Sequence, residues 1–144
     1  MILNLKIIVC GSIGFGGIDD IRNLQRKIKE NGLTIIDHIS EEGMDYSDIT
    51  DFRDHQDLSR EIVEHDLRFV EEADIIVALV SKPSFGTAIE MYIAKQKGKH
   101  VIVLADRPIP TPWPIFLSTK TVKTEEDLLI ALKEIEQKSK DQLE

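Results

Sequence analysis

The chain has 144 residues, of which 42% are hydrophobic and 31% charged, and its formal net charge is −8. This length and balance predict one globular domain with an ordinary buried core and leave little room for a second domain. The acidic charge argues against a nucleic-acid polymer or an anionic membrane as partner, because both recruit dense patches of lysine and arginine. A small anionic ligand stays open, since a few backbone amides can hold one.

The cysteine content and the two ends of the chain bear on its compartment and its extent. Cys10 is the only cysteine, so no disulfide can form within the chain, and a reducing, cytoplasmic compartment is expected. Residues 1–10 hold an apolar run that is too short to span a bilayer and that no small-residue cleavage site follows, which favours a buried first strand. We expect a single domain over residues 1–138 and a charged, fraying tail at residues 139–144.

Apolar periodicity in the first half of the chain predicts two strands that alternate with two helices. The segments, in chain order, are a strand at residues 3–10, a helix from Asp19 or Asp20 to Asn31, a strand at residues 33–37, an acidic loop at residues 40–54 and a helix at residues 56–72. The acidic loop lacks any periodicity, and we expect it to lie over the site.

The second half continues the alternation and adds a proline-rich connection. The segments are a strand at residues 74–80, a helix at 86–96, a strand at 100–104, a proline-rich loop at 108–114, a short strand around 121–122 and a helix at 124–138. The four prolines of the loop are expected to forbid regular structure there. Thr124, with Asp127 three residues on, forms a plausible N-cap for the last helix.

This alternation predicts an α/β fold with a parallel sheet and right-handed crossovers. Five strands in the order 2-1-3-4-5, with helices on both faces, give a doubly wound, three-layered, flavodoxin-like domain. Ligands bind such sheets where the first and third strands diverge. Topology should therefore bring together the glycine-rich turn at residues 11–17 and the turn at residues 81–90.

The glycine-rich turn at residues 11–17 joins the first strand to the first helix. Glycines let the backbone approach a ligand closely, and the amides at a helix N-terminus attract an anion. The glycine spacing differs from that of a dinucleotide-binding fingerprint, and the turn lacks the Lys-Ser/Thr end of a P-loop. A tight turn that only needs positive φ angles is an equal alternative.

Three polar residues stand at positions where chemistry is possible. Ser84 can cap the third helix, and its hydroxyl could equally face a phosphate. Glu90 lies about one turn into that helix among small and apolar residues, where its carboxylate points either into the crevice or, more commonly, to solvent. Asp66 interrupts the second helix close to its apolar face, and its alternative is a surface residue paired with Arg68 or a neighbouring histidine.

Five short motifs occur together on the predicted elements. They are Gly11-Ser12-Ile13 with the trailing Gly16-Gly17, Glu64-His65-Asp66-Leu67, Ala73-Asp74-Ile75-Ile76-Val77-Ala78, Pro83-Ser84-Phe85-Gly86 continuing to Glu90, and Gly98-Lys99. In this order and spacing, over about residues 6–104, the chain resembles the nucleoside 2-deoxyribosyltransferase superfamily. Within it, the resemblance is greatest to the 2'-deoxynucleoside 5'-phosphate N-hydrolases.

The resemblance implies a carboxylate nucleophile at Glu90 that attacks the anomeric carbon of a deoxyribosyl group. Asp66 would protonate the leaving base or hold it by hydrogen bonds, and water would then release the sugar. A carboxylic acid that donates a proton near neutral pH needs a raised pKa, which burial beside Glu90 could provide. The resemblance implies neither a metal nor a redox cofactor.

The residue six positions before the nucleophile separates the two branches of the superfamily. The transferases resembled here carry aspartate there and the nucleotide hydrolases carry serine, which matches Ser84. Serine removes a negative charge and adds a donor for a 5'-phosphate. The residues that the resemblance places at the substrate are Ser12, Ile13, Gly14, Gly16, Gly17, His38, Ser84 and Gly86.

The chain departs from the hydrolase pattern at two positions. The hydrolases carry an arginine directly after Gly-Ser-Ile, which is absent here, and Arg22 in the following helix is a candidate substitute. Their first-strand tyrosine, which orients the nucleophile, aligns with Ile8. His38 matches a family histidine near the sugar, and a satisfied structural histidine is an equally common reading of it.

The function predicted from the sequence is an N-glycosidase that splits a (deoxy)ribonucleoside 5'-monophosphate into free base and sugar 5-phosphate. A transferase that exchanges bases and a non-catalytic nucleotide-binding module are the alternatives, and the preferred base and the need for a 2'-deoxy sugar stay open. Members of the superfamily usually assemble, so a homodimer or larger oligomer is expected. The loop at residues 108–114, with Trp113 and Phe116, is the predicted contact patch.

Overall fold

The computed structural model describes residues 4–14 and 16–143, and within them five parallel strands form one sheet. The elements, in chain order, are β1 (Lys6–Cys10), α1 (Gly17–Glu30), β2 (Thr34–Ile35), α2 (Gln56–Glu72), β3 (Ile75–Leu79), α3 (Phe85–Gln96), β4 (His100–Leu104), α4 (Trp113–Leu117), β5 (Lys120–Val122) and α5 (Glu125–Leu143). The strand order is β2-β1-β3-β4-β5. The predicted doubly wound, flavodoxin-like fold is therefore confirmed.

The sheet is covered on both faces, because alternate residues of each strand enter separate hydrophobic clusters. Ile7 and Val9 of β1 pack into the cluster formed with α1 and α5. Ile8 and Cys10 pack into the cluster on the other face, with α2, α3 and α4. These three layers place the end of β1, and with it the thiol of Cys10, against the helices α2 and α3.

The turn between β1 and α1 is closed by backbone contacts that require glycine. Gly17 donates its amide to the carbonyl of Gly14 at 3.1 Å, and Gly16 has φ 81° and ψ 1°, the left-handed region that glycine enters most easily. A Cβ on Gly17 would lie 1.8 Å from the carbonyl oxygen of Ser12. Because the turn ends so tightly, α1 begins at Gly17, two residues before the predicted start.

The proline-rich segment contains a short helix, so the prediction that residues 108–114 lack regular structure was wrong at their end. Helix α4 runs over Trp113–Leu117, with Pro112 at its N-cap and Pro114 in its first turn. Proline is tolerated there because the amides of a first helical turn have no partner within the helix. The first α-helical hydrogen bond runs from the amide of Phe116 to the carbonyl of Pro112 at 2.9 Å.

Helix α5 is longer than predicted. It continues through residues 139–143, which the sequence analysis assigned to a fraying tail beyond residue 138. Four of these five residues are polar, but Lys140, Gln142 and Leu143 are good helix formers, and Gln137 donates a hydrogen bond to Asp141 one turn later at 2.9 Å. None of the helices within the described residues has the length and apolar character needed to cross a membrane.

Candidate active site

Glu90 lies in the second turn of α3 and turns its carboxyl group into the interior. The residue is 9% exposed, and its Oε2 accepts a hydrogen bond from Sγ of Cys10 at 3.1 Å. Burial raises the pKa of Glu90 to about 7; the nearby charge of Asp66 also raises it, and the Cys10 hydrogen bond lowers it in part. The solvent-facing alternative for Glu90 is therefore wrong, and its place in a ligand-binding crevice stays a prediction.

The start of α3 places Ser84 and Gly86 beside this carboxylate. Oγ of Ser84 accepts the amide hydrogen of Thr87 at 3.3 Å, which confirms the predicted N-cap. A Cβ on Gly86 would lie 3.5 Å from Oε1 of Glu90 and 3.9 Å from Oγ of Ser84. A side chain at position 86 would thus be in van der Waals contact with the carboxylate, and glycine leaves that position unfilled.

Asp66 of α2 supplies the second carboxyl group. Its side chain is 16% exposed, and Oδ1 lies 3.1 Å from Nδ1 of His65. Burial raises the pKa of Asp66, and the hydrogen bond with His65 and the proximity of His38 lower it in part. The predicted raised pKa of Asp66 is thus present and arises from burial. The pairing of Asp66 with a neighbouring histidine, His65, which was named as the alternative, is present as well.

His65 lies between two carboxyl groups, and its contact with Glu41 was not predicted from the sequence. Its Nε2 lies 2.5 Å from Oε2 of Glu41, and its Nδ1 faces Asp66. An imidazolium would donate to both oxygens, whereas a neutral ring that donates to Glu41 can accept a proton from Asp66. Glu41 belongs to the acidic loop at residues 40–54, so this contact anchors the loop on α2.

Tyr46, from the same loop, is a further polar group near the two carboxylates. Burial raises the pKa of Tyr46 to about 12, and the charges of Asp66 and Glu90 add to the increase. The ring packs edge-on against Phe52, with 5.4 Å between the ring centroids. The site therefore has a tyrosine from the loop, while Ile8, which aligns with the tyrosine of the family, is fully buried in the core.

His38 follows β2 and is 3% exposed. Among the described residues its Nδ1 has no hydrogen-bond partner. Burial lowers the pKa of His38, and the charge of Asp66 opposes this shift. The ring is thus a buried imidazole with an unsatisfied nitrogen near the catalytic candidates, which differs from the satisfied structural histidine considered as its alternative.

The glycine-rich turn borders a cavity of about 540 Å³ on the α1 and α5 face, at the carboxyl ends of the strands. Ser12 and Gly17 line it, whereas Glu90 and Asp66 do not. The Ser12 hydroxyl donates to the carbonyl of Gly14 at 3.1 Å. The side chain of Ile13 is 4% exposed within the core, so only its backbone can meet a ligand.

The two cations nearest to this turn in sequence or space are differently placed. Arg22, the candidate substitute for the family arginine, pairs with Asp45 of the acidic loop at 3.1 Å. Lys82 reaches the turn from the end of β3. Its Nζ lies 3.9 Å from the point that a Cβ of Gly16 would occupy, and 3.5 Å from Oδ2 of Asp20.

No cluster of three or more His, Cys, Asp or Glu side chains in residues 4–14 and 16–143 has the arrangement of a metal site. The absence of a metal and of a redox cofactor from the reaction stays a prediction.

Residues 9–133 match the sequence model of the nucleoside 2-deoxyribosyltransferase family. The chain belongs to this family. It is 33% identical over 89 residues, 61% of this chain and 57% of the relative, to a Thermofilum pendens protein named as a 2'-deoxynucleoside 5'-phosphate N-hydrolase. It is 28% identical over 103 residues, 69% of this chain and 68% of the relative, to the 5-hydroxymethyl-dUMP N-hydrolase of Danio rerio. The first match thus spans little more than half of the relative's length.

Solved structures of low identity share the fold. A 2-deoxyribosyltransferase from Bacillus psychrosaccharolyticus superposes with a TM-score of 0.69 at 16% identity, covering 86% of this chain and 90% of that chain. A conserved protein from Enterococcus faecalis superposes with a TM-score of 0.67 at 20% identity, covering 92% of this chain and 99% of that chain. Both likenesses support the fold assignment.

Proposed function

We propose that the protein is an N-glycosidase that hydrolyses (deoxy)ribonucleoside 5'-monophosphates to free base and sugar 5-phosphate. The observation that carries this proposal is the buried carboxyl group of Glu90, which accepts a hydrogen bond from Cys10 at Oε2 and lies near a second, half-buried carboxyl group, Asp66. The names of the two relatives, both N-hydrolases of nucleoside monophosphates, support the same reaction.

The chemistry needs one oxygen of Glu90 to be available. Oε2 accepts the hydrogen bond of the Cys10 thiol, whereas Oε1 faces Gly86, 3.5 Å from the point that a Cβ there would occupy. Oε1 attacks the anomeric carbon while the C–N bond breaks, and the electron pair of the C–N bond leaves with the base. Asp66 gives a proton to the base, or holds it by a hydrogen bond. Water then cleaves the glycosyl ester, which returns Glu90 and releases the sugar 5-phosphate.

Protonation of the two carboxyl groups is coupled in this scheme. The nucleophile must be ionised and the acid protonated, so the active form holds one proton on the pair. The charge of Asp66 raises the pKa of Glu90, which by reciprocity disfavours the doubly ionised pair. The raised pKa of Glu90 favours the proton on Glu90 while Asp66 is charged, so the reactive form requires that proton to lie on Asp66 instead.

The substrate's polar groups have candidate partners at the ends of β1 and β3. Ser84 uses a lone pair for its helix cap, so its hydroxyl hydrogen can be donated to a phosphate oxygen. Ser12 and the backbone of Gly14, Gly16 and Gly17 complete the proposed cradle. His38 Nδ1 is the proposed partner of a sugar hydroxyl, which would satisfy this buried nitrogen.

The experiment for this function is a panel of nucleoside 5'-monophosphates and matching nucleosides, in ribo and deoxy forms, with released base separated and quantified. Base release from monophosphates without an acceptor supports the hydrolase. Release that requires an added base, with formation of the exchanged nucleoside, would identify a transferase. Saturable binding with no release under single-turnover conditions would identify a binding module.

We also propose a cytoplasmic homodimer formed through α3 and α4. The exposed apolar side chains on this surface include Phe85, which is 94% exposed, Ile89, Tyr92, Trp113 and Phe116. A patch of this kind next to the site is suited to a second copy. Light scattering after gel filtration should give twice the chain mass, and Ile89→Asp should reduce it to one chain.

A further inference from the structure

The proposed phosphate cradle lacks the arginine of the hydrolase pattern and needs a cation from elsewhere in the chain. Arg22 is held by Asp45 of the acidic loop. We propose that Lys82 binds the 5'-phosphate and determines the preference for phosphorylated substrates. This inference rests on the proposed function and names a residue that neither the sequence motifs nor the relatives assign.

The position of Lys82 is set by the turn after β3, two residues before Ser84. Its Nζ lies over the glycine turn, 3.9 Å from the point that a Cβ of Gly16 would occupy. Lys82, Ser12 and Gly17 line one cavity of about 540 Å³. The ammonium, the Ser12 hydroxyl and the backbone of the turn thus converge at the end of β1, two residues beyond the thiol that contacts Glu90.

Gly16 gives the turn below the ammonium its shape. Its φ of 81° is a conformation that side chains rarely adopt, and a Cβ there would be in van der Waals contact with the ammonium at 3.9 Å. Lysine is suited to the role because its flexible stem lets one point charge meet phosphate oxygens in several geometries.

Asp20 holds Lys82 in place without competing strongly with a dianion. The Lys82 and Asp20 side chains are 46% and 64% exposed, and Nζ lies 3.5 Å from Oδ2. An ion pair in so much solvent is weak, so a phosphate dianion can draw the ammonium from Asp20. A bare nucleoside offers no such competitor and leaves the pair intact. Lys82 therefore acts on the phosphorylated substrate alone.

Two other cations that line the cavity also form exposed ion pairs, Lys27 with Glu125 at 2.6 Å and Arg107 with Asp106 at 3.3 Å. Lys82 is therefore distinguished by its position: its Nζ lies 3.9 Å from the point that a Cβ of Gly16 would occupy.

The test measures kcat/KM for a deoxynucleoside and its 5'-monophosphate on wild type, Lys82→Gln and Lys82→Arg. Lys133→Gln is the matched control, since it removes the same charge from an exposed site on α5. The Nζ of Lys133 donates a hydrogen bond to Oδ1 of Asn31 at 3.3 Å. Lys82→Gln should lower kcat/KM for the monophosphate about 10-fold or more, the size of one charge-assisted hydrogen bond, and leave the nucleoside unchanged. Lys82→Arg should retain most of the preference, and the control should match wild type.

A binding measurement separates this inference from the proposed function. Calorimetric titration with deoxyribose 5-phosphate reports on the cradle whether or not the protein releases base. Lys82→Gln should weaken this binding about 10-fold, and Asp20→Asn should strengthen it by removing a carboxylate that competes with the phosphate. If wild type releases no base, the proposed N-glycosidase function is wrong, but this titration still tests whether Lys82 binds the phosphate. Equal losses on nucleoside and monophosphate, or unchanged binding in Lys82→Gln, would overturn the role of Lys82.

Discussion

The thiol of Cys10 donates a hydrogen bond to Oε2 of Glu90 at 3.1 Å, joining the end of β1 to the second turn of α3. Burial and the charge of Glu90 raise the pKa of this thiol well above its usual value, so sulfur keeps its proton and remains a donor. Cys10 shares its face of the sheet with Ile8, two residues earlier. In a chain that has isoleucine at the family's tyrosine position, the thiol is the group that orients the carboxylate.

Removing this donor should shift the pH profile. Burial raises the pKa of Glu90 to about 7, and the Cys10 hydrogen bond acts in the opposite direction by stabilising the ionised carboxylate. Because the proposed active form holds one proton on the Glu90–Asp66 pair, kcat/KM of wild type should pass through a maximum, with the limb near pH 7 reporting Glu90. Cys10→Ala should move this limb to higher pH, while Cys10→Ser, which keeps a donor, should restore it toward wild type. An unchanged limb in Cys10→Ala would contradict the orienting role of the thiol.

Glu90→Gln should stabilise the fold at alkaline pH. The pKa of Glu90 is raised from 4.5 to about 7, so the folded protein holds a proton that the unfolded chain releases. The stability linked to that proton is present below about pH 4.5 and is lost as pH rises through about 7. Chemical denaturation should therefore show that Glu90→Gln raises the free energy of unfolding, relative to wild type, more at pH 8 than at pH 5, by on the order of 2 kcal/mol. An equal change in the free energy of unfolding at both pH values would mean that the carboxyl group is not desolvated.

Asp66→Asn should discriminate between leaving groups. An amide can still hydrogen-bond to the base but cannot deliver a proton, and general acid catalysis contributes about 10²–10⁴-fold. Bases that leave poorly should lose most of that factor, while activated bases should lose little. Rates measured over a series of bases of graded leaving ability check this, with Asp57→Asn at the exposed start of α2 as the control. An equal loss of rate for all bases in the series would mean that Asp66 only positions the base and does not donate a proton.

Ser84 should control the choice between phosphorylated and bare substrate. A charge-assisted hydrogen bond from Ser84 is worth about 1.5–3 kcal/mol, so it favours the monophosphate by about 10-fold or more in kcat/KM. The Ser12 hydroxyl donates to the carbonyl of Gly14 in this structure and is not counted in this figure. Ser84→Asp should abolish most of this preference by setting a carboxylate against the phosphate, and Ser84→Ala should reduce it less. Serine and aspartate both cap helices well, which keeps α3 intact in the first variant. A wild type that prefers the bare nucleoside and transfers its sugar to an added base would favour the transferase.

The fold and the central candidates were accessible from sequence because their signals are local. Alternating apolar runs give the strands, the Ser84 cap is set by residues within one turn, and Glu90 stands out as a carboxylate among small and apolar neighbours. The contacts of Cys10 with Glu90 and of Glu41 with His65 join residues 80 and 24 positions apart, and no periodic pattern marks them.

The errors also have local causes. Helix α4 was missed because proline was read as a helix breaker, although its position in a first turn is compatible with a helix. The end of α5 was misplaced because a charged segment with side-chain pairs resembles a solvated tail. Lys82 was passed over because its approach to Gly16 depends on how two turns meet across the sheet.

The most direct measurement of the central claim is single-turnover base release from a deoxynucleoside 5'-monophosphate by wild type and Glu90→Gln. Excess enzyme removes any dependence on product release, and a thermal melt of both proteins confirms that the variant is folded. Wild type should release the base without an acceptor, and Glu90→Gln should be slower by about 10³-fold or more, because the amide cannot neutralise the developing positive charge at the anomeric carbon. Near-normal release by a folded Glu90→Gln protein would contradict the assignment of Glu90 as the nucleophile.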